Sequence, residues 1–362
     1  MGFSVGIIGL PNVGKSTLLN ALCHAGAEAS NYPFCTIDRN QGTVPVPDER
    51  LTRLAELLKP KEVIPATVTF IDIAGLVKGA HRGEGLGNKF LHHIREASVL
   101  AHVLRCFTDE NVSRLYGTVD PLLDIDIVDT ELFLADVERV ERWIEKERTQ
   151  SKAKKKEERK DLEFLESVRA VVSRGERLMP DAVPAPMKPL YENLQLLTSK
   201  PRIIVLNTGW EDPSGSSPAC AKVIERFGEK NTFIVSAKLE DELDAFSDAE
   251  RAELVKGLGV DERAKKRFIE KCHESLGFIR YYTSAHDKLQ AWSIPNGTPA
   301  ARAAGKIHSD MERGFVKAEV MSFDHLISCG SKAEAHRHGR LRTEGHDYVI
   351  QNGDVVHFLF NP

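Results

Sequence analysis

Residues 9–17 read GLPNVGKST and fit the phosphate-binding pattern G-x-x-x-x-G-K-[ST]. An apolar run, residues 3–8, comes directly before this stretch, and a helical pattern begins near Lys15. In such a strand–loop–helix turn, glycines let the main chain wrap around phosphates, and the amides at the helix N-terminus attract their charge. The stretch therefore predicts a P-loop in which Lys15 contacts the β- and γ-phosphates and the Ser16 hydroxyl ligates Mg²⁺.

Strand and helix patterns alternate on the C-terminal side of this loop. Residues 67–73, 99–106 and 202–206 are β-branched or apolar runs typical of strands, and helical stretches lie between them. This alternation predicts an α/β fold with a mostly parallel sheet that is covered by helices on both faces.

Length and composition limit the class of protein. The 362 residues predict two or three domains, and the formal charge of −4 with 41% hydrophobic residues excludes a disordered or fibrous chain. No apolar run approaches the ~18 residues that a membrane helix needs, so no membrane association is expected. The N-terminus lacks a signal-peptide pattern and the six cysteines form no C-x-x-C pair, which predicts a reducing, cytoplasmic location.

The strand–helix alternation stops between about residues 127 and 178. Apolar residues recur there at spacings of three and four, and residues 145–163 carry 14 charges in 19 positions. We predict an inserted pair of antiparallel helices with a charged tip, and one long solvated helix is the alternative.

From about residue 278 the pattern changes to short aromatic and β-branched segments around one or two helices. This change predicts a first domain over residues 1–277, which contains the insert, and a small β-rich α+β domain over residues 278–362. The basic residues of the second domain either contact RNA phosphates or form a solvated face; they are Lys332, Arg337, Arg340 and Arg342.

Two further segments distinguish a switch protein from other P-loop proteins. Residues 72–75 fit D-x-x-G at the end of the 67–73 strand, and Thr36 lies 20 residues after Ser16. In a switch protein, Asp72 holds Mg²⁺ through a water and the Gly75 amide senses the γ-phosphate. Thr36 binds the metal only while the triphosphate is present. The sequence therefore predicts two segments that are released on hydrolysis.

Four segments resemble the YchF/Obg-like ATPases: GLPNVGKST (9–17), NYPFCTID (31–38), DIAGLVKGAHRGEGLGNKFL (72–91) and EGHDYVIQNGDVVHFLFNP (344–362). The resemblance covers essentially the whole chain. It implies a Ras-like nucleotide-binding domain with an inserted helical hairpin arm, followed by a ubiquitin-like TGS domain. It also implies a cytosolic, translation-associated NTPase that binds ribosomes and favours ATP over GTP.

The residues of the expected site follow from the motifs and the resemblance together. The expected nucleotide-binding residues are Asn12, Val13, Gly14, Lys15, Ser16, Thr17, Asn207, Thr208, Ser236, Ala237 and Lys238. The expected metal ligands are Ser16, Thr36 and, through a water, Asp72. The expected catalytic residues are Lys15, Asp72, Gly75 and Arg114.

The sequence departs from known base-recognition patterns after the 202–206 strand. Asn207 is followed by Thr-Gly-Trp-Glu, so the N-K-x-D motif of GTP-binding proteins is absent, and Trp210 stands where the family usually has glutamate. Residues 236–238, Ser-Ala-Lys, resemble a second base-contacting loop. Loss of the carboxylate that reads guanine favours ATP, and a GTP-preferring or dual-specificity site is the alternative.

Two departures concern hydrolysis. Leu76 follows Gly75 where Ras-type switches have a water-orienting glutamine, which predicts slow unassisted hydrolysis, on the order of 10⁻⁴–10⁻² s⁻¹. Relatives usually carry histidine where this chain has Arg114. An arginine there either stabilises charge in the transition state or is a surface residue.

The motifs predict a Mg²⁺-dependent, nucleotide-hydrolysing switch, and the resemblance implies that it favours ATP and that its nucleotide state controls binding to the ribosome or ribosomal RNA. An RNA or ribosome adaptor that uses nucleotide only as a structural ligand is the alternative. A small-molecule kinase is disfavoured because the chain shows D-x-x-G and no evident acceptor pocket or lid. We expect a monomer and no DNA partner.

Overall fold

The structure is a computed structural model that describes residues 3–23, 37–38, 40–73, 86–109, 112, 119–151, 159–243, 245–257, 264–285 and 287–361. The described strands are β1 (Phe3–Ile8), β2 (Ile37–Asp38), β3 (Gln41–Pro45), β4 (Glu62–Ile64), β5 (Thr67–Asp72), β6 (Val99–Arg105), β7 (Arg202–Asn207), β8 (Thr232–Val235), β9 (Phe278–Ala285), β10 (Lys288–Pro295), β11 (Phe315–Ser322), β12 (Arg342–Glu344) and β13 (Asp354–Phe360).

The described α-helices are α1 (Lys15–Cys23), α2 (Glu49–Leu58), α3 (Leu86–Glu96), α4 (Pro121–Ser151), α5 (Arg159–Ser173), α6 (Lys188–Leu194), α7 (Pro218–Phe227), α8 (Ala237–Leu243), α9 (Asp248–Gly257), α10 (Ala264–Ser275), α11 (Ala300–Ile307), α12 (Ser309–Arg313), α13 (Phe323–Cys329) and α14 (Lys332–Arg337). Among the helices in this part of the chain, we find none with the length and apolar character needed to cross a membrane.

Two compact units divide the chain. One contains Ser4–Ala21 and Phe70–Asp261, and the other contains Met1–Phe3, Leu22–Thr69 and Glu262–Pro362. The second unit is therefore built from segments that lie far apart in the sequence.

The larger sheet has the strand order β2-β3-β5-β1-β6-β7-β8. Strands β1, β6, β7 and β8 pair in parallel, with Ile8 opposite His102 and Leu104 opposite Leu206. Every residue of β6 is buried, as expected for a central parallel strand that is covered on both faces. The predicted α/β fold is confirmed.

Helices α4 and α5 form the predicted hairpin. Val140 and Ile144 of α4 pack against Val168 and Val172 of α5, and Arg148 lies 2.7 Å from Glu166. One continuous helix would place residues 148 and 166 about 27 Å apart, so the long-helix alternative is wrong. The central part of the charged tip, residues 152–158, lies outside the described residues.

Helix α4 begins at Pro121, earlier than the pattern near residue 127 indicated. Proline is tolerated in the first turn, where its missing N–H would have no partner. The Asp120 carboxylate accepts hydrogen bonds from the amides of Leu122 and Leu123 at 3.1 and 3.2 Å, which caps the helix.

The smaller sheet has the order β12-β11-β13-β9-β10-β4. Its core packs Tyr281, Ile294, Val320 and Phe358 against the alanine-rich face of α11. The predicted small β-rich C-terminal fold is confirmed. Its outermost strand, β4, comes from residues 62–64 and pairs in parallel with β10. A three-residue strand carries too little periodicity to be found in the sequence.

Candidate nucleotide-binding site

The loop between β1 and α1 has the backbone shape that the P-loop pattern requires. Gly9 has φ 148° and Gly14 has φ 93°. A Cβ at Gly9 would lie 2.5 Å from the Val103 carbonyl oxygen, and a Cβ at Gly14 would lie 2.2 Å from Asn207 Nδ2. Glycine is therefore required at both positions, for its conformation and for the close approach of neighbouring atoms. Asn12 has φ 63°, a conformation that asparagine tolerates better than most residues.

Lys15 is buried inside this loop. Its Nζ donates a hydrogen bond to the Leu10 carbonyl oxygen at 2.9 Å. Burial lowers the pKa of Lys15, and the Asp72 carboxylate opposes that shift. Among the described residues, the Leu10 carbonyl oxygen is the hydrogen-bond partner of this buried ammonium, and a phosphate group would be strongly attracted to it.

Ser16 and Asp72 are 56 residues apart in sequence and meet at the end of β5. Ser16 Oγ donates a hydrogen bond to Asp72 Oδ2 at 2.5 Å. The other carboxylate oxygen, Oδ1, is buried and has no hydrogen-bond partner among the described residues. Hydroxyl, carboxylate and water oxygens are the ligands that Mg²⁺ prefers, so the two side chains fit a magnesium ion.

Asn207 connects the P-loop to the segment after β8. Its Nδ2 donates to the Val13 carbonyl oxygen at 2.9 Å, and its Oδ1 accepts from the Ala237 amide at 3.0 Å. The neighbouring Thr208 amide donates to the Val235 carbonyl oxygen at 2.8 Å. The structure therefore brings residues 12–17 together with residues 207–208 and 236–237.

The remaining predicted nucleotide-binding residues differ in their surroundings. The Ser236 hydroxyl is buried and has no hydrogen-bond partner in the described part of the chain. Thr17 is half-buried in α1, and Lys238 is exposed in the first turn of α8. Three predicted site residues lie outside the described residues; they are Thr36, Gly75 and Arg114.

In the loop after Asn207, the acidic side chain of Glu211 folds back against Gly209. A Cβ at Gly209 would lie 2.2 Å from Glu211 Oε1, so the Glu211 carboxylate lies directly against this glycine. The Trp210 side chain points outward and is 66% exposed. Asp212 closes the turn by accepting hydrogen bonds from the amides of Ser216 and Ser217 at 2.8 and 3.0 Å.

Sequence reasoning missed Arg105, the last residue of β6. Its buried guanidinium donates to the carbonyl oxygens of Phe107, Asp109 and Val112 at 3.2–3.4 Å and lies over the Phe107 ring. These contacts fix residues 107, 109 and 112, which precede Arg114 in the sequence. A single arginine at a strand end belongs to no motif, so no sequence pattern could have indicated this role.

Comparisons with known proteins agree with this geometry. Residues 4–128 match a family described as "50S ribosome-binding GTPase". Residues 278–361 match the C-terminal family of the YchF GTPases, which is described as "Protein of unknown function (DUF933)".

Many relatives match this chain, and several of them match along their entire length. The proteins named "Ribosome-binding ATPase YchF" from Bacillus subtilis and Escherichia coli O157:H7 are each 42% identical, with 100% of both chains covered.

Several solved structures resemble this one. The Schizosaccharomyces pombe YchF GTPase aligns with a TM-score of 0.86 at 32% identity, covering 99% of this chain and 98% of the other. A GTP binding protein from Pyrococcus horikoshii OT3 aligns with a TM-score of 0.63 at 18% identity, covering 99% and 100%, and shows the fold alone. On the evidence of these full-length matches, the chain belongs to the YchF family.

Proposed function

We propose that this chain is a Mg²⁺-dependent ATPase that acts as a nucleotide-operated switch on the ribosome, in the cytoplasm. The observation that carries the proposal is the contact between Ser16 and Asp72 beside the buried Lys15. It leaves one buried carboxylate oxygen without a partner in the described part of the chain. Full-length relatives named "Ribosome-binding ATPase YchF" support both the reaction and the partner.

The residues of the P-loop perform the binding step. The main-chain amides of residues 12–17 and the Lys15 ammonium hold the phosphates of the nucleotide. Ser16 and Asp72 would hold Mg²⁺, and the ion would supply positive charge to balance the phosphate oxygens. Water is the nucleophile, and no protein residue forms a covalent intermediate.

The switching step involves residues outside the described part of the chain. We propose that Thr36 and Gly75 contact the metal and the γ-phosphate only in the triphosphate state. Leu76 cannot orient a water, so unassisted hydrolysis is slow. Arg114 is the candidate for stabilising charge in the transition state, and Arg105 holds the segment before it.

We propose ATP rather than GTP as the preferred nucleotide. Asn207 links the two loops that would surround the base. Near it, the buried Ser236 hydroxyl has no hydrogen-bond partner among the described residues, and a bound base could supply one, since an unsatisfied buried hydroxyl costs free energy. Glu211, which folds back against Gly209, is the nearest acidic replacement for the family's usual glutamate.

Competition between ATP and GTP for the purified protein tests the choice of nucleotide. We expect tighter binding of ATP. The variant Glu211→Gln should change the ratio of the two affinities if this carboxylate reads the base, and Glu225→Gln on α7 serves as a control of equal charge. GTP binding at least tenfold tighter than ATP binding would overturn the assignment of ATP.

Phosphate release in the presence and absence of ribosomes tests the reaction. We expect turnover that requires Mg²⁺ and is lost in Lys15→Gln but retained in the control Lys222→Gln, which removes an exposed lysine of α7. Tight nucleotide binding without turnover, even with ribosomes present, would instead favour the adaptor that uses nucleotide only as a structural ligand.

The organisation of the chain is part of the proposal. We place a nucleotide-binding domain over residues 1–277, with the arm as an insertion, and a TGS domain over residues 278–362. We further propose a monomer that binds the ribosome and no DNA.

A further inference from the structure

A group of basic side chains comes from the last turn of α3, from the middle of α4 and from the segment just before β7. Its members are Arg95, Arg139, Arg142 and Lys200, which we name the arm-base cluster. The Lys200 Nζ donates to the carbonyl oxygens of Arg95 and Ala97 at 2.8 and 2.5 Å. Arg139 donates to the carbonyl oxygens of Asn193 and Leu194. Lys200 and Arg139 therefore bond to neutral carbonyl groups, and both share the opposite charge of the Asp136 carboxylate.

The four cations are close enough to affect one another. Burial lowers the pKa of Arg95, and the charges of Arg139 and Arg142 lower it further, while Asp136 and Glu138 act in the opposite direction. Burial and the Arg95 charge likewise lower the pKa of Lys200. Like charges that are partly removed from water repel one another strongly.

The carboxylates beside the cluster are already engaged. Asp136 is fully buried and accepts three hydrogen bonds, from the amides of Leu197 and Thr198 and from the Thr198 hydroxyl, at 2.8–2.9 Å. Glu138 forms an exposed ion pair with Arg142 at 3.7 Å. Among the described residues that act on one another here, four cations therefore lie with two carboxylates, which leaves an excess of positive charge.

Arg95 is the member of the cluster with a buried side-chain donor that makes no hydrogen bond to the described residues. Its Nε is buried and has no hydrogen-bond partner, and no ion pair to its guanidinium is found among the described residues. Buried guanidinium groups are normally hydrogen-bonded, and an orphaned donor costs free energy. An anion bound at the cluster would satisfy this donor and balance the excess charge.

We propose that the arm-base cluster binds backbone phosphates of ribosomal RNA. Planar guanidinium groups present paired donors that match the oxygens of a phosphate, and three of the four cations are arginines. A nucleic-acid backbone carries several phosphates in a row, which suits a group of cations better than a single carboxylate does. The Arg142 side chain is 66% exposed, so the cluster is open to a large ligand.

This proposal rests on the ribosome as the partner and adds the surface and the chemistry of contact. The test uses the full-length variants Arg95→Gln and Arg142→Gln with a fluorescein-labelled RNA duplex and with purified ribosomes. The control is Arg174→Gln, which removes the same charge from an exposed residue paired with Glu176. Thermal unfolding of each variant checks that the fold is retained, and Arg142→Gln tests the cluster even if Arg95→Gln is unstable.

We expect each cluster variant to bind the RNA duplex about threefold to tenfold more weakly than the wild type and to sediment less with ribosomes. The slope of log affinity against log salt should fall by about one for each arginine removed. The control should keep the wild-type affinity and slope, and Arg95→Lys should keep the salt slope while losing part of the affinity.

Unchanged affinity and salt slope in both cluster variants would overturn the proposal. Binding of inorganic tripolyphosphate that depends on the cluster, with no such dependence for RNA, would also overturn it, because the ligand would then be a small anion. The same result with polyglutamate would indicate an acidic protein as the partner. ATP binding and phosphate release by the same variants are measured in parallel. If the variants keep ATP binding and phosphate release, any loss of RNA binding comes from the cluster and not from a damaged ATPase site. Sedimentation of the wild-type protein with ribosomes tests separately whether the ribosome is a partner.

Discussion

Ser16 and Asp72 show how two individual side chains define the chemistry of the proposed site. Each is ordinary alone, but together they place two oxygens 2.5 Å apart beside a buried lysine. The buried Asp72 Oδ1 needs a partner, which a metal-bound water can supply.

The variant Asp72→Asn should weaken the response to Mg²⁺, because the amide has lost the charge that orients the metal and its water. We expect the half-saturating Mg²⁺ concentration for phosphate release to rise about tenfold to a hundredfold. Asp161→Asn, which removes a carboxylate from the arm, is the control and should behave as the wild type. An unchanged Mg²⁺ response in Asp72→Asn would contradict the assigned metal site.

The buried side chain of His102 makes the stability of the fold depend on pH. The side chain is fully buried in β6, and neither ring nitrogen has a hydrogen-bond partner among the described residues. Burial, and then the charge of Arg202, lowers the pKa of His102 to about 3. The unfolded chain, with an imidazole pKa of about 6.5, therefore binds a proton at acid pH that the folded chain does not.

Folding should therefore become less favourable as the pH falls below about 6.5, and the loss should continue until the folded-state pKa near 3 is reached. At pH 5 this histidine should remove about 2 kcal/mol relative to neutral pH. Urea unfolding at pH 5 and at neutral pH measures this loss, and we expect His102→Leu to lose less free energy of unfolding between the two pH values than the wild type does. His93→Leu, an exposed histidine of α3, should keep the wild-type pH dependence, and equal losses in both variants would be inconsistent with this explanation.

At the scale of elements, one buried ion pair fastens the long helix α4 to the central sheet. The Arg202 side chain in β7 is 4% exposed and donates to both carboxylate oxygens of Asp129. Burial raises the pKa of Asp129, but hydrogen bonding and charge from Arg202 outweigh it, and the net pKa is lowered. The same helix carries an exposed pair, Asp126 with Arg226.

The variant Asp129→Asn should cost about 3–5 kcal/mol in the free energy of unfolding, because it leaves a buried guanidinium without its charge partner. Asp126→Asn is the matched control on the same helix and should cost no more than about 1 kcal/mol. Urea unfolding of the two variants measures both values. Similar costs at the two sites would show that burial of the pair does not matter.

At the scale of the whole molecule, the fold around the smaller sheet depends on an early segment of the chain. Tyr282 donates a hydrogen bond to the Asp48 carboxylate at 3.0 Å, and Arg53 of α2 lies over the Phe323 ring at 5.3 Å. Strand β4 completes the edge of the sheet beside β10. The smaller sheet is therefore not formed by residues 278–361 alone.

An isolated fragment of residues 278–362 should unfold at a lower temperature than these residues do within the intact protein. Its β10 amides at residues 288–290 should exchange with solvent faster, because β4 no longer covers that edge. Hydrogen exchange followed by mass spectrometry compares the two proteins, and the pairing of β9 with β10 is the internal control. Equal protection of residues 288–290 in both would contradict the contribution of β4.

Much of the fold and part of the site could be predicted from the sequence. The P-loop, the parallel sheet and the arm depend on glycines at set positions and on periods of two or near four, which are properties of neighbouring residues. The prediction from apolar spacing begins near residue 127 and does not use the Asp120–Pro121 capping signal, so it misses the first turns of α4.

The sequence by itself determined the phosphate-binding loop, the α/β class and the presence of an arm, because each depends on local backbone conformation and spacing. The sequence placed Ser16 and Asp72 at one metal site, but only the tertiary structure showed the direct hydrogen bond between them. It also showed that Asn207 bonds to two separate loops, that β4 completes a distant sheet and that Lys200 lies against the last turn of α3. Such contacts join residues far apart in the chain, and they are set by the burial of whole elements, which leaves no periodic trace in sequence.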